Sequence, residues 1–330
     1  MFYPIEVYLN PRPRLRYGLG FICILVAAMA FGSIGPTTTL ALRVGVSPLG
    51  FTFARAAGGA AILLLFAIAH HEAWRFPRYE HGGLLILIST SALVSLSLNS
   101  AFTLMPVALV VGFYYFYPAG VAILASLRHE ERLGWAGGVG VLGLLGGIAL
   151  LSLGQLSSGL MIAPLGIILA LVAGAAQTAY VRKGVSVQGG SVFFQAALVL
   201  AGTAFIALLV TLIVNGYPSL GTLVRPTALG PLIWAGLVTG ALATTLMFIG
   251  LRLIGSVIGA LAMLAEPVSA AILGLLFLGQ ALSPLAVIGM LLLLLGAARI
   301  ATRSTMVSQA ILVTELILPQ NDSKFYSPEK

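Results

Sequence analysis

The sequence predicts an all-α integral membrane protein of ten transmembrane helices, arranged as two inverted five-helix repeats. Three observations carry that prediction. Ten apolar runs are each long enough to cross a bilayer, since a hydrocarbon core of about 30 Å needs about 20 helical residues. The basic residues between the runs collect on alternate loops. The chain also matches itself at an offset of 149 residues. Composition agrees: 59% of the 330 residues are hydrophobic and 8% charged, against about a quarter charged in a soluble domain. Too little polar surface exists to coat a globule in water, so lipid is the solvent. The formal charge of +8 sits in loops, where Lys and Arg set orientation, and no nucleic-acid partner is implied.

In order, the predicted spans are 17–42, 47–69, 82–104, 106–127, 134–154, 161–181, 190–214, 227–250, 255–278 and 283–302. Arg12, Arg14 and Arg16 ahead of the first span resemble a secretory signal. That span exceeds an ordinary h-region and equally apolar segments follow, so it reads as a retained helix. Its Cys23 is the only cysteine and has no mate for a disulfide or a metal site. Residues 1–16 form a short N-terminal segment. In the polar tail 303–330, the apolar stretch Ala310 to Leu318 is too short to span. The repeats are 17–154 and 161–302.

One side of the membrane receives Arg12, Arg14, Arg16, Arg75, Arg78, Arg128, Arg132, Arg182, Lys183, Arg252, Arg299, Arg303, Lys324 and Lys330. The other receives only Arg43 and Arg225. The excess marks the cytoplasmic side, which predicts a multi-pass protein of the plasma membrane with both termini cytoplasmic.

At the offset of 149, Pro118 meets Pro267, Ala122-Ile123-Leu124 meets Ala271-Ile272-Leu273, Gly140 meets Gly289, Gly147 meets Gly296, and Phe31 meets Tyr180. Glu131 falls on Gln280. An odd number of spans per unit makes the second half enter from the opposite side, the inverted-repeat plan of many secondary transporters, with a site at the bilayer midplane.

Glu266 is the one carboxylate deep within a predicted span. A charge there costs from about 3 kcal/mol on insertion scales, so it must pair, take up a proton or line a wet cavity. Pro267 beside it frees a backbone carbonyl and permits a break, and Pro118 does the same in the other half. The plainer role for Glu266 is to cap that defect or hold a neighbouring helix. Arg55 is the matching cation, placed to pair with Glu266 or, about eight residues into its helix, to snorkel to the nearer interface; snorkelling is the simpler expectation. Phe113-Tyr114-Tyr115-Phe116-Tyr117 precedes Pro118. Five consecutive aromatics circle a helix, but Tyr114 and Tyr117, three apart, share a face that can wall a cavity; an interfacial belt or plain packing is equally open. Gln177, three residues before Tyr180, can share a cavity face with it; an interhelical hydrogen bond is its plainer role. Asn99, Gln195 and Thr244-Thr245 suit interhelical hydrogen bonds.

Gly138 to Gly143 spells GxGxxG, but inside an apolar span with no preceding strand, so it reads as close helix packing and not as a nucleotide site. Membrane enzymes need clustered acids, histidines or a nucleophile elbow. Here Asp322 lies in the tail, His70, His71, His81 and His129 lie in predicted loops, and neither HExxH nor GxSxG occurs. No enzyme, metal or other cofactor is expected, and neither a filter-like loop nor a charged ring suggests a channel.

Glu266-Pro267-Val268-Ser269-Ala270-Ala271-Ile272-Leu273, continuing to Leu278-Gly279-Gln280-Ala281-Leu282-Ser283-Pro284 and Gly289, resembles the C-terminal half-signature of EamA-type members of the drug/metabolite transporter superfamily. Tyr117-Pro118-Ala119-Gly120, Glu130-Glu131-Arg132-Leu133, Gly140 and Gly147 echo it in the first half, and Arg55 after Ser47-Pro48 resembles an arginine often seen in that family's second helix. The likeness covers roughly residues 17–301. It implies a ten-helix fold with a central cavity and secondary transport, often export, of amino acids or other metabolites. Gln280 departs from the family's usual Glu. The expected partners are thus a small-molecule substrate, membrane lipid and, through Glu266, protons as the coupling ion. The alternative is a membrane enzyme, or a carrier of lipid-linked or other solutes on the same fold.

Overall fold

The computed structural model describes residues 13–70, 81–105, 107–128, 134–156, 163–186, 191–279, 283–296 and 299. All regular elements among them are helical. In chain order the membrane helices are α1 (Leu15–Arg43), α2 (Pro48–Ala69), α3 (His81–Ala101), α4 (Leu109–Leu127), α5 (Gly138–Leu150), α6 (Pro164–Ser186), α7 (Val192–Asn215), α8 (Pro226–Ile254), α9 (Ser256–Leu278) and α10 (Pro284–Gly296). Eight are long and apolar enough to cross a membrane. Of the other two, α5 lies within a helix that runs Gly134–Leu156 and α10 is an apolar helix over Pro284–Gly296, so eight of the ten expected spans are full-length among the described residues. Gln280, Glu130, Glu131 and Arg132 lie outside the described residues, as do residues 1–12 and the tail 301–330.

Two helix ends run past the expected boundaries. Arg182 and Lys183 remain helical because α6 continues to Ser186, and Arg252 lies in the last turn of α8. Basic side chains at a helix C-terminus complement its partial negative charge, and their long stems reach the interface from within the helix. In contrast, α3 stops at Ala101, with turns over 102–105. Pro106 follows, and a residue before proline is disfavoured in the helical conformation.

The main helix contacts have counterparts when the halves are exchanged, α1 for α6, α2 for α7 and so on. Helix α3 packs on α6 as α1 packs on α8, α2 on α8 as α7 on α3, and α1 on α9 as α6 on α4. The pairs α2·α7 and α4·α9 map onto themselves. So does α5·α10, where the repeated glycines meet. A Cβ on Gly147 would lie 2.7 Å from the Gly289 carbonyl oxygen, and one on Gly296 would lie 2.7 Å from that of Gly140. Each glycine thus faces the counterpart of its opposite number, in antiparallel register. Small residues let two helices touch backbone to backbone where lipid supplies no hydrophobic drive. The outer faces carry exposed apolar side chains such as Leu65, Ile213 and Leu276.

Three helices are interrupted and one is widened, all at membrane depth. Turns divide α4 at Tyr115–Phe116, just before Pro118, and α9 at Met263–Leu264, just before Pro267. The cause is the same in both: proline donates no hydrogen bond and its ring clashes with the carbonyl four residues earlier. The backbone tightens in compensation, the Glu266 N–H donating to the Met263 carbonyl at 2.9 Å. Helix α1 turns at Gly32–Ser33 against α9, where the Ser269 hydroxyl donates to the Met29 carbonyl at 2.8 Å. In α8 a π-helical stretch, Ala235–Leu242, begins four residues after Pro231. Its Gly236 and Gly240 touch the backbone of α2 at Gly58 and Gly59. Irregular backbone at this depth is tolerated where protein buries it or where it borders a wet cavity.

Candidate functional site

A cavity with about 590 Å³ of empty space, its solvent-open part included, lies among the interrupted helices. Its wall follows the internal repeat. Four pairs of lining residues are related by the offset of 149: Phe31 with Tyr180, Ser95 with Thr244, Leu98 with Met247, and Tyr114 with Met263. The cavity therefore sits on the axis that relates the halves.

Helix α9 brings Glu266 into the wall directly after its break, and the residue is 8% exposed. It is the only acidic side chain among the described residues. Helix α4 surrounds it with phenols. The Tyr115 hydroxyl approaches the carboxylate but meets no hydrogen-bond partner in good geometry, and the same is true of the Tyr117 hydroxyl. Rings 114, 115 and 117 form one cluster, with the Tyr114 centroid 5.2 Å from each of the other two. Tyr114 lines the cavity, whereas Tyr117 is fully buried behind it. The expected shared face of these two tyrosines is altered by the turn at 115–116, because spacing by three aligns side chains only in a continuous helix.

Arg55, on α2, also lines the cavity and is 5% exposed. It does not snorkel. Nη1 donates to the Thr239 carbonyl in the π-helical stretch of α8 at 3.2 Å, and Nη2 donates to the Ser95 hydroxyl at 2.8 Å. These inward partners hold the side chain away from the nearer interface. Arg55 and Glu266 share the cavity without forming an ion pair; both contacts of Arg55 are to neutral groups. Gln177 is in the wall beside Tyr180.

Reading the residues one by one passes over a polar stripe on α3. Ser91, Ser95 and Asn99, spaced by four, line the cavity from one face. Ser91 accepts from Thr203 of α7 at 2.9 Å. The Asn99 amide donates to Thr52 of α2 at 2.8 Å and accepts from Thr38 of α1 at 3.2 Å. The i, i+4, i+8 spacing was the available signal. Gln195 lies away from the cavity, accepting from Arg252 at the ends of α7 and α8.

The wall thus offers one acid, one guanidinium, two amides, several hydroxyls and an apolar remainder, with no group of three His, Cys, Asp or Glu gathered among the described residues. Such a wall can bind and orient a small polar solute. No curated protein matches the chain. A solved structure described as "Crystal structure of protein" is similar to it, at 20% identity and a TM-score of 0.66, with 88% of this chain and 98% of that one covered; at that identity the likeness is one of fold. The model of the EamA-like transporter family matches residues 18–153 and again 161–302. With two matches that cover nearly the whole chain, on a helical fold whose contacts exchange between halves, the protein belongs to the EamA-like transporter family of multi-pass membrane proteins.

Proposed function

We propose that the chain is a secondary active transporter that moves a small metabolite, an amino acid or a similar compound, across the plasma membrane by alternating access, in the direction of export. The observation that carries this reading is the cavity on the axis between the halves, which holds a buried acid and a buried base that do not neutralise each other. Residues 17–154 and 161–302 are the units that rock against each other, and residues 1–16 and 303–330 lie on the cytoplasmic side. The breaks before Pro118 and Pro267 support this mechanism, since discontinuous helices at the midplane are where inverted-repeat carriers bind and gate. Protons are the coupling ion. Glu266 takes one up to become neutral in the closed cavity and releases it when water enters, with Tyr114, Tyr115 and Tyr117 beside it.

The test is uptake and efflux in membrane vesicles with and without an imposed pH gradient, using a labelled metabolite panel led by amino acids. Wild type is expected to show gradient-driven flux and Glu266→Gln to lose the dependence on the gradient. If Glu266→Gln transports at an unchanged rate with an unchanged pH profile, the role of Glu266 is wrong. Absence of flux for every compound would overturn the transport reading itself.

A further inference from the structure

Arg55 is a buried cation without a counter-ion. Its two contacts are to a backbone carbonyl and a serine hydroxyl, its Nε has no partner, and the one acid in the same cavity does not reach it. Removing a guanidinium from water costs several kcal/mol, and neutral hydrogen bonds compensate only part of that. Two hydrogen bonds to neutral groups staple α2, α3 and α8 together but leave the charge itself uncompensated. The side chain is rigidly held, 5% exposed, and part of the cavity wall. A site of this kind has spare capacity for one anion.

The charge count limits which anion. One guanidinium balances one negative charge. With Glu266 protonated, one carboxylate neutralises the site, whereas a dianionic phosphate would leave one negative charge uncompensated in a low-dielectric space, at a cost of several kcal/mol. A single carboxylate matches the site in charge and in shape, since its two oxygens suit the parallel N–H bonds of a guanidinium edge. The free Nε–H lies on such an edge. We propose that Arg55 is the carboxylate subsite of the cavity, taking a monocarboxylate group of the solute through Nε–H and a neighbouring Nη–H. This rests on the transport reading for the cavity's purpose, but concerns what the cavity recognises.

The probe is thermal unfolding of the purified full chain in detergent, with each of the twenty L-amino acids and with acetate, lactate and benzoate, every one paired with its carboxamide at equal concentration. The amide keeps the shape and removes the charge. At least one acid is expected to raise Tm, and its amide to bind about ten- to a hundredfold more weakly, the span set by charged against neutral hydrogen bonds. Arg55→Gln is expected to erase that difference, and Arg55→Lys to retain part of it. An arginine that merely staples helices would stabilise the protein without distinguishing acid from amide. Equal binding of acid and amide by wild type refutes the subsite, as does the absence of any shift from every carboxylate at about 10 mM, a concentration that occupies a millimolar site. So does an acid preference that survives in Arg55→Gln. The wild-type comparison decides the question even if Arg55→Gln does not fold. Acid-selective binding without flux in vesicles would overturn the transport reading and leave the subsite standing. Gradient-driven flux with no acid preference would do the reverse.

Discussion

Replacing Gly147 by alanine is the most direct test of the crossing that relates the two halves. A Cβ at this position would lie 2.6 Å from the Leu293 nitrogen, 2.7 Å from the Gly289 oxygen and 2.8 Å from the Leu293 Cβ. Ordinary contact begins near 3.4 Å, so α5 and α10 must separate by roughly 0.6 to 0.8 Å, the difference of those distances. Two of the three obstructing atoms belong to backbone, and no rotamer change relieves them. Overpacking of this kind costs about 1–3 kcal/mol, offset by the roughly 1 kcal/mol that alanine gains over glycine inside a helix. A Cβ on Gly138, in the same helix, would have nothing within 4 Å of it; Gly138→Ala therefore keeps the gain without the clash. The expected gap between the two variants is about 1–3 kcal/mol, measured by SDS titration of the purified protein with circular dichroism as the readout. Gly296→Ala should match Gly147→Ala, because its Cβ would meet the Gly140 oxygen and the Leu144 nitrogen at 2.7 Å. The double variant should cost less than the sum, since both push the same two helices apart. Equal stability of Gly147→Ala and Gly138→Ala would refute the close antiparallel crossing.

Two further outcomes follow from the hydrogen-bonded and turn geometry. Asn99→Ala removes bonds to Thr38 and Thr52. At about 0.6 kcal/mol for an average interhelical bond in a membrane, and up to about 1.7, the loss should be about 1–2 kcal/mol. A double-mutant cycle with Thr52→Val should show positive coupling, and a coupling energy near zero would mean that the bond is not made. Gly255 joins α8 to α9 at φ 80° and ψ 174°, a region open essentially to glycine alone. Gly255→Ala should therefore destabilise by about 1–3 kcal/mol in the same titration, whereas an unchanged midpoint would show that the turn does not hold this conformation.

Helices were legible because lipid imposes one pattern on every span, and the boundaries that shifted did so for local reasons. Arg182, Lys183 and Arg252 look like loop residues by charge, yet a long basic side chain reaches the interface from inside the last turn. The Gly140/Gly289 and Gly147/Gly296 matches were visible as a repeat, but that each glycine packs against the other's counterpart needed the fold. At the site, Glu266 and Arg55 stood out because ions are rare at this depth. Their failure to pair did not, since nothing local announces that Ser95 and the Thr239 carbonyl hold Arg55. The latter contact depends on how α8 lies against α2 across 184 residues of chain.

Where the halves agree and where they differ divides scaffold from chemistry. Positions identical under the offset, Pro118 with Pro267 and Gly147 with Gly296, break helices or let them touch. The charged positions have neutral counterparts. Glu266 corresponds to Tyr117 and Arg55 to Ala204, so the cavity's backbone frame is nearly symmetric while its electrostatics are not. In the alternating-access mechanism proposed above, a scaffold of two matching halves would make the inward- and outward-open forms similar in packing energy, because the main helix contacts have counterparts in the other half. Any preference between the forms must then come from the positions that break the symmetry. Under the readings proposed above, a solute carboxylate on Arg55 and a proton on Glu266 would act at those positions, one in each half, where a ligand shifts the equilibrium only by its differential affinity for the two forms.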